Sequence, residues 1–316
     1  MLQAYFNLEM NPFSVHPNPH FYCGLKCHEE ALQTILYSIK NHDTLIKITG
    51  QIGLGKSMVA CCLRNKLEKM YHVCEIKNPN MTTQSLLASL INQLPMARTK
   101  KQDDKNLQDL PMDILEKRLI HFSKNVLPVV LIIDEAQAME DQLLETLRLL
   151  TNLEQHGRPL LQIVLFGQKE LDDKLQQDKF KQLRQRICFS YEIRALSTAE
   201  VSVYINYRLS VAGVKGRQIF DNEAIALIAK HTQGVPRKIN IVAHKAMLFA
   251  SSRQSHNVDR DHVWQALRDH GVISGLHMAG NWQQMLLWLL IGCNLLVVYI
   301  LFYGMHTPTN PFSVFT

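Results

Sequence analysis

Residues 50–57 read GQIGLGKS, from Gly50 to Ser57. This run satisfies the pattern G-x-x-x-x-G-K-[ST]. Its glycines let a loop turn so that backbone N–H groups face a polyphosphate. The helix that follows presents its N-terminus to the same charge. Lys56 supplies a cation for the β/γ-phosphates, and the Ser57 hydroxyl is a Mg²⁺ ligand. The residues expected to hold the ligand are therefore Gly50, Gln51, Ile52, Gly53, Leu54, Gly55, Lys56, Ser57 and Met58. Chance alone would give the pattern in roughly one such chain in a few hundred, so its flanks decide. It sits between an apolar strand, TLIKIT, and a helical run, KSMVACCLRNKLEKMY.

Outward from the loop, strands and helices alternate. HVCEIKN is a strand and TTQSLLASLINQL a helix; PMDILEKRLIHFSKN is a helix and PVVLIIDE a strand. DQLLETLRLLTNLE is helical, with Leu143, Leu147 and Leu150 at core spacing, and LLQIVLFG and ICFSYEIR are strands. This order predicts a doubly wound α/β domain with a parallel sheet. PVVLIID is apolar without alternation, as a strand buried on both faces should be. From Leu196 only helical patterns remain: STAEVSVYINYRLSVAG, NEAIALIAKHTQG, PRKINIVAHKAMLFASS and DRDHVWQALRDHG. Ser197 and Glu200 have the spacing of a capping box. The expected domains are an N-terminal extension (1–30), a nucleotide-binding core (31–195), a helical lid (196–271), a linker (272–284), an apolar span (285–303) and a short tail (304–316). In the extension, the prolines of NPFSVHPNPHFY exclude a helix, and the first helix is expected from Glu29.

VVLIIDEAQ is the second chemical element. Its strand ends in Asp134 and Glu135, at the sheet edge where ligands bind in such folds. Asp134 is expected to hold Mg²⁺ through water, and Glu135 to orient and deprotonate an attacking water. Gln168, just after LLQIVLFG, is placed to reach a terminal phosphate or that water. Arg184 and Arg186, in LRQRI, are candidates to act on a neighbouring subunit's nucleotide. Arg237, in GVPRKIN, opens a helix of the lid, from which a guanidinium can lean back on the ligand.

Composition excludes several other classes. With 47% hydrophobic and 20% charged residues the chain is globular, not disordered. The net charge of +6 selects no particular anionic partner. The RTKKQDDK stretch from Arg98 mixes both signs and reads as a solvated loop. The 7 cysteines show no disulfide framework. Cys23, Cys27 and His28 lack a second Cys/His pair at zinc spacing, so no metal site is expected there. The 14 histidines form no H-E-x-x-H motif, and His244 and His262 read as helix-face residues. The start, MLQAYFNLEMNPF, lacks the regions of a cleaved signal peptide.

The order of P-loop, DEAQ, a polar residue after the next strand, LRQR and GVPR resembles the AAA+ ATPases over about residues 30–270. YFNLEMNPFSVHPNPHFY, CHEEAL, LRLLTNLE and LLQIVLFGQKEL are similar to the ExeA/GspA-type secretion ATPases, with a lean toward the members that serve mannose-sensitive haemagglutinin (type IV) pilus biogenesis. The resemblance implies ATP and Mg²⁺ as ligands, ATP hydrolysis, a homo-oligomer, and pilus or type II secretion assembly proteins as partners, with no nucleic acid. Gln51 and Leu54 stand where the family often has Glu and Thr, at variable loop positions. Secretion members carry a peptidoglycan-binding domain beyond their span; GMHTPTNPFSVFT stands in that place here, which favours the pilus-type reading. A DNA-binding regulatory ATPase, as in transposition relatives, and an ATP-gated scaffold without turnover are the alternatives.

MLLWLLIGCNLLVVYILFY, from Met285 to Tyr303, holds no charged residue. At about 1.5 Å per residue it reaches roughly 28 Å, close to the hydrocarbon thickness of a bilayer. Trp282, Trp288, Tyr299 and Tyr303 lie near its ends, as in aromatic belts, and Asn294 is placed to bond a partner helix. A single-pass transmembrane helix in the bacterial inner membrane, contacting its lipid, is the expectation. Arg268 upstream gives a weak positive-inside signal; the need for ATP puts the core in the cytoplasm.

Overall fold

The computed structural model describes residues 2–94, 111–125 and 127–269. The apolar runs become strands and the amphipathic runs cover them. Leu45–Thr49 (β1), His72–Ile76 (β2), Val129–Ile133 (β3), Leu161–Gly167 (β6) and Ile187–Glu192 (β7) form one sheet in the order β2-β3-β6-β1-β7. Every pairing in it is parallel. β3 and β6 are buried at every position, whereas the edge strand β7 alternates between half-buried and exposed. Unbroken apolar runs thus took the interior, and the alternating run took an edge.

Helices Lys56–Leu67 (α3), Thr83–Gln93 (α4), Pro111–Asn125 (α5) and Asp141–Leu150 (α6) follow the strands. Leu86, Leu90, Leu115, Leu119, Leu143 and Leu147 join β3 and β6 in one apolar core. Each such fully buried side chain contributes about 1.5–3 kcal/mol. The register fixes the site: Thr49 pairs with Gly167, and Ile133 with Leu165. β3, β6 and β1 are neighbours, so their carboxyl ends, and the loops that leave them, lie side by side.

After β7 come helices Thr198–Val211 (α9), Asn222–Thr232 (α10), Pro236–Ser252 (α11) and Arg260–Asp269 (α12). Met1–Ala266 form one compact unit, and Leu267–Thr316 a second that falls mostly outside the described residues. Within the first unit the later helices are tied to the sheet by backbone bonds: Ile193 N–H donates to Thr49, Leu196 N–H to Gly234, and Arg237 N–H to Gly53.

Several elements differ from expectation. A short helix, Leu2–Phe6 (α1), precedes the prolines, and Pro19–Phe21 makes a single 3-10 turn capped by the Asn18 side chain. Lys26–Lys40 (α2) starts upstream of Glu29 and buries Cys27 and His28. The expected helix through Glu154 stops at Leu150, and Glu154–Gln155 (β4) pairs with Arg158–Pro159 (β5) in a minimal hairpin. His156 and Gly157 both have positive φ, as a tight hairpin turn requires. Lys169–Leu175 (α7) and Lys181–Arg186 (α8) fill the stretch between β6 and β7. Among the described residues no helix is long and apolar enough to cross a membrane; the span expected at 285–303 lies outside them.

The junction between sheet and later helices has a built cap. Ser197 Oγ accepts the Glu200 N–H at 3.3 Å, and the Glu200 carboxylate accepts the Ser197 N–H at 2.8 Å. Arg194 grips both Glu200 oxygens at 2.7 and 2.9 Å. That guanidinium holds the Glu200 carboxyl down to about 2. A depressed folded value stabilises the fold above the ordinary carboxylate range, and the gain disappears as pH falls toward 2. Glu200→Gln is therefore expected to lower the urea midpoint at pH 7, and the gap from wild type should shrink steadily between pH 5 and 2.5.

Candidate functional site

The loop after β1 is shaped by two residues in the left-handed region, Gly53 (φ 85°) and Gly55 (φ 96°). A side chain at Gly53 would place its Cβ 2.8 Å from Arg237 Cβ and 3.1 Å from Val235 Cγ1. One at Gly55 would come within 3.1 Å of His28 Nε2. Gly55 caps α3 without a side chain, so the N–H groups of Lys56 and Ser57 face the open mouth of the loop, while the Met58 N–H donates to the Gly55 carbonyl at 3.0 Å. Leu54 turns inward at 3% exposure and, with the buried Gly50, supports the loop from beneath.

Lys56 is buried under the loop; its Nζ donates to the carbonyls of Gly50 at 2.8 Å and Gln51 at 3.0 Å. Burial pushes its ammonium below the usual lysine range, against the pull of Glu135 and Asp134. Ser57 Oγ donates to Asp134 Oδ2 at 2.6 Å. Burial raises the Asp134 carboxyl, and the Ser57 hydroxyl and Glu135 N–H act against that rise. Two hard oxygen donors thus meet at the mouth of the loop. That donor set suits Mg²⁺, which takes one or two protein oxygens and completes its shell with water and phosphate. Among the described residues no group of three His, Cys, Asp or Glu converges on a metal.

Glu135 is a non-glycine residue in the left-handed region, with φ 53°. This costs of order 1–3 kcal/mol. Its N–H is held by Asp134 Oδ1 at 2.9 Å. Its Oε2 accepts two amides, Gln168 Nε2 at 3.1 Å and Gln137 Nε2 at 2.5 Å. Gln137 Oε1 in turn accepts the Gln168 N–H at 3.0 Å. The Gln137 amide therefore bridges the ends of β3 and β6, and its orientation is fixed from both sides.

Two cavities flank the loop. One, of about 340 Å³, runs from Gly53, Lys56 and Ser57 to Val15, Phe21 and Arg208. The other, of about 580 Å³, lies beside Gln51, Ile52, Gln168 and Lys238. Arg237 lines both. Arg184 and Arg186 line neither: Arg184 bonds the carbonyls of Leu175 and Gln176, and Arg186 bonds Asn152. The structure thus gathers Lys56, Ser57, Asp134, Glu135, Gln168 and Arg237, and keeps Arg184 and Arg186 on the surface of α8.

Three features escaped the sequence reading. Gln137 lies two positions beyond Glu135, and nothing in its spacing marks it. His28, considered there only as a metal ligand, donates from Nε2 to the Leu54 carbonyl at 2.7 Å, and burial keeps its imidazole below the ordinary range. The proline-rich extension forms a cavity wall.

Residues 39–175 match the AAA domain family. General secretion pathway protein A of Aeromonas hydrophila is 35% identical over 292 residues, 92% of this chain. The chain thus carries an AAA domain and is similar to an ExeA/GspA-type ATPase over most of its own length. It spans about half of that relative, 52% of its length. Among solved structures, Drosophila ORC bound to DNA superposes with a TM-score of 0.61 at 18% identity, over 84% of this chain and 65% of that one. The Aeropyrum pernix ORC2 protein, in its ADPNP–ADP complexes, gives 0.58 at 15% identity, over 76% of this chain and 66% of that one. At such identities the likeness establishes the α/β AAA+ fold.

The crowding around Gly53 yields a direct test. Gly53→Ala must strain the backbone and push Arg237 away, so it should lower stability by about 1–3 kcal/mol, read as a shift of the urea midpoint with no ligand present.

Proposed function

We propose that this protein binds Mg–ATP on the loop at 50–58 and hydrolyses it to drive or switch the assembly of a secretion or type IV pilus complex at the bacterial inner membrane. The observation that carries the reading is the convergence, on three adjacent strand ends, of Lys56, the Ser57–Asp134 pair, and Glu135 with its two amide donors. In this reading Lys56 and the first-turn N–H groups of α3 bind the β/γ-phosphates. Ser57 and Asp134 hold Mg²⁺, Asp134 through water. When bound, the cation neutralises developing phosphate charge.

Glu135 is the general base in this proposal. Gln168 senses the terminal phosphate or the water, and Arg237 reports the nucleotide to the helices after β7. Arg184 or Arg186 acts across a homo-oligomeric interface, which agrees with their place on the surface. The secretion role rests on the 35% identity to General secretion pathway protein A, and the pilus role on the motif likeness. The membrane anchor rests on the uncharged run 285–303.

Steady-state hydrolysis by the protein in lipid nanodiscs tests the core of this proposal. Loss of a positioned general base is worth about 10²–10⁴-fold, so Glu135→Gln should bind ATP normally and lose turnover by at least 10²-fold. Tight ATP binding without turnover in wild type, with or without secretion or pilus partners, would leave only the scaffold reading. Gln137→Met keeps volume and removes both amide bonds; it should lower kcat roughly tenfold, about 1.4 kcal/mol, with KM little changed.

A further inference from the structure

Lys47 is a charged side chain in the middle of an inner strand, and the phosphate chemistry does not use it. It is the third of five residues in β1, and the other four are buried. It lies opposite Leu165 of β6 on one side and Ser190 of β7 on the other. Its side chain, 14% exposed, reaches the Asp172 carboxylate of α7, itself 30% exposed. There Nζ donates to Asp172 Oδ1. A charge so withdrawn from water needs a partner, and removal of one member leaves the other uncompensated. Apolar burial is non-directional, whereas a charge pair selects one arrangement. The ammonium in β1 therefore specifies where α7 sits.

α7 has 7 residues, too few to hold a helix without tertiary contacts. Leu171 and Leu175 anchor it in the core. Leu171 packs so closely on the end of β6 that a Cβ on Gly167 would come within 2.7 Å of its Cδ2. Lys174 Nζ donates to the Met139 carbonyl and lies 3.4 Å from Asp141 Oδ1, at the start of α6. The Lys47–Asp172 pair is the tie to β1. α7 thus bridges the strand that leads into the phosphate loop and the 3-10 turn Ala136–Ala138 that follows Glu135. Gln168 is the N-cap of α7, yet its side chain makes no cap bond. It donates to Glu135 instead, at 3.1 Å. Asp172 stands about one helical turn further on, so whatever fixes α7 against β1 also fixes the reach of Gln168.

We infer that Lys47 and Asp172 are positioning residues for the hydrolysis: their ion pair holds α7 where the Gln168 amide meets Glu135 and the terminal phosphate, and neither residue touches the nucleotide. This rests on the reading that phosphates occupy the loop at 50–58 and that Glu135 is the base. Neither residue lines the two cavities beside the loop. Their influence therefore falls on turnover and leaves binding almost untouched.

Steady-state hydrolysis and ATP calorimetry on the full chain in lipid nanodiscs test this. A misplacement of about 1 Å can cost about 10²-fold in rate. Asp172→Asn should therefore lower kcat about tenfold or more, with KM and ATP affinity within about twofold of wild type. Lys47→Met removes the same tie from the strand side, and decides the matter if Asp172→Asn does not fold. A general loosening of the fold would also lower kcat, so the deciding measurement repeats each substitution in a Gln168→Ala background. There kcat is already reduced, and the second change should add less than about a twofold loss. Full multiplication of the two effects would overturn the inference, because the pair would then act without Gln168. So would wild-type kcat in Gln168→Ala, or a fall in ATP affinity as large as the fall in kcat. Turnover in wild type that Asp172→Asn and Lys47→Met both match would sink the inference alone and leave the ATPase reading standing. ATP binding without turnover in wild type would remove the general-base reading and the inference together.

Discussion

Ser57 and Asp134 are 77 residues apart in the chain and 2.6 Å apart in space. Much of the architecture keeps them there. A hydroxyl on the first turn of a helix can meet a carboxylate at the end of another strand only if both strands end at the same level. β1 and β3 are not neighbours: β6 runs between them, in register with both. The interior strand that carries Gln168 thus also sets the distance between the two oxygen donors. Its burial at every position gives that spacer its rigidity, because a packed interior resists displacement.

Around this pair, opposing effects are balanced. Lys56 and Asp134 are both buried enough to resist their charged forms, and each has the other's charge nearby to restore it. Glu135 is held differently, by backbone strain on one side and by amides from Gln137 and Gln168 on the other. A carboxylate fixed by two donors from different elements responds to a shift of either one. The arrangement couples the geometry at the end of β6 to the position of the carboxylate that follows β3.

Much of this was legible in the sequence. PVVLIID declared a buried strand by its lack of alternation, and the GQIGLGKS and DEAQ runs marked the two loops that the fold brings side by side. The Ser197–Glu200 spacing announced its cap. Other parts carried no local signal. β4 and β5 are two residues each, too short for any periodicity, and depend on His156 and Gly157 accepting positive φ. α1 lies ahead of the prolines that seemed to exclude helix from the whole extension. Gln137 and Arg208 owe their importance to partners distant in the chain or on another element, which no window of sequence displays. His28 looked like a possible ligand because of the cysteines beside it; its actual neighbour, the Leu54 carbonyl, is a feature of the folded loop.

The anchoring of residues 12–14 on Arg208 and Asn240 also orders events in time. Pro12 and Ser14 are separated from Arg208 by 196 and 194 residues, and Ser14 from Asn240 by 226. Residues 12–14 can therefore dock only once the helices that carry Arg208 and Asn240 are present. Through most of synthesis the sheet and its phosphate loop can assemble while the cavity beside them lacks a wall, and domains fold as units when their sequence has emerged.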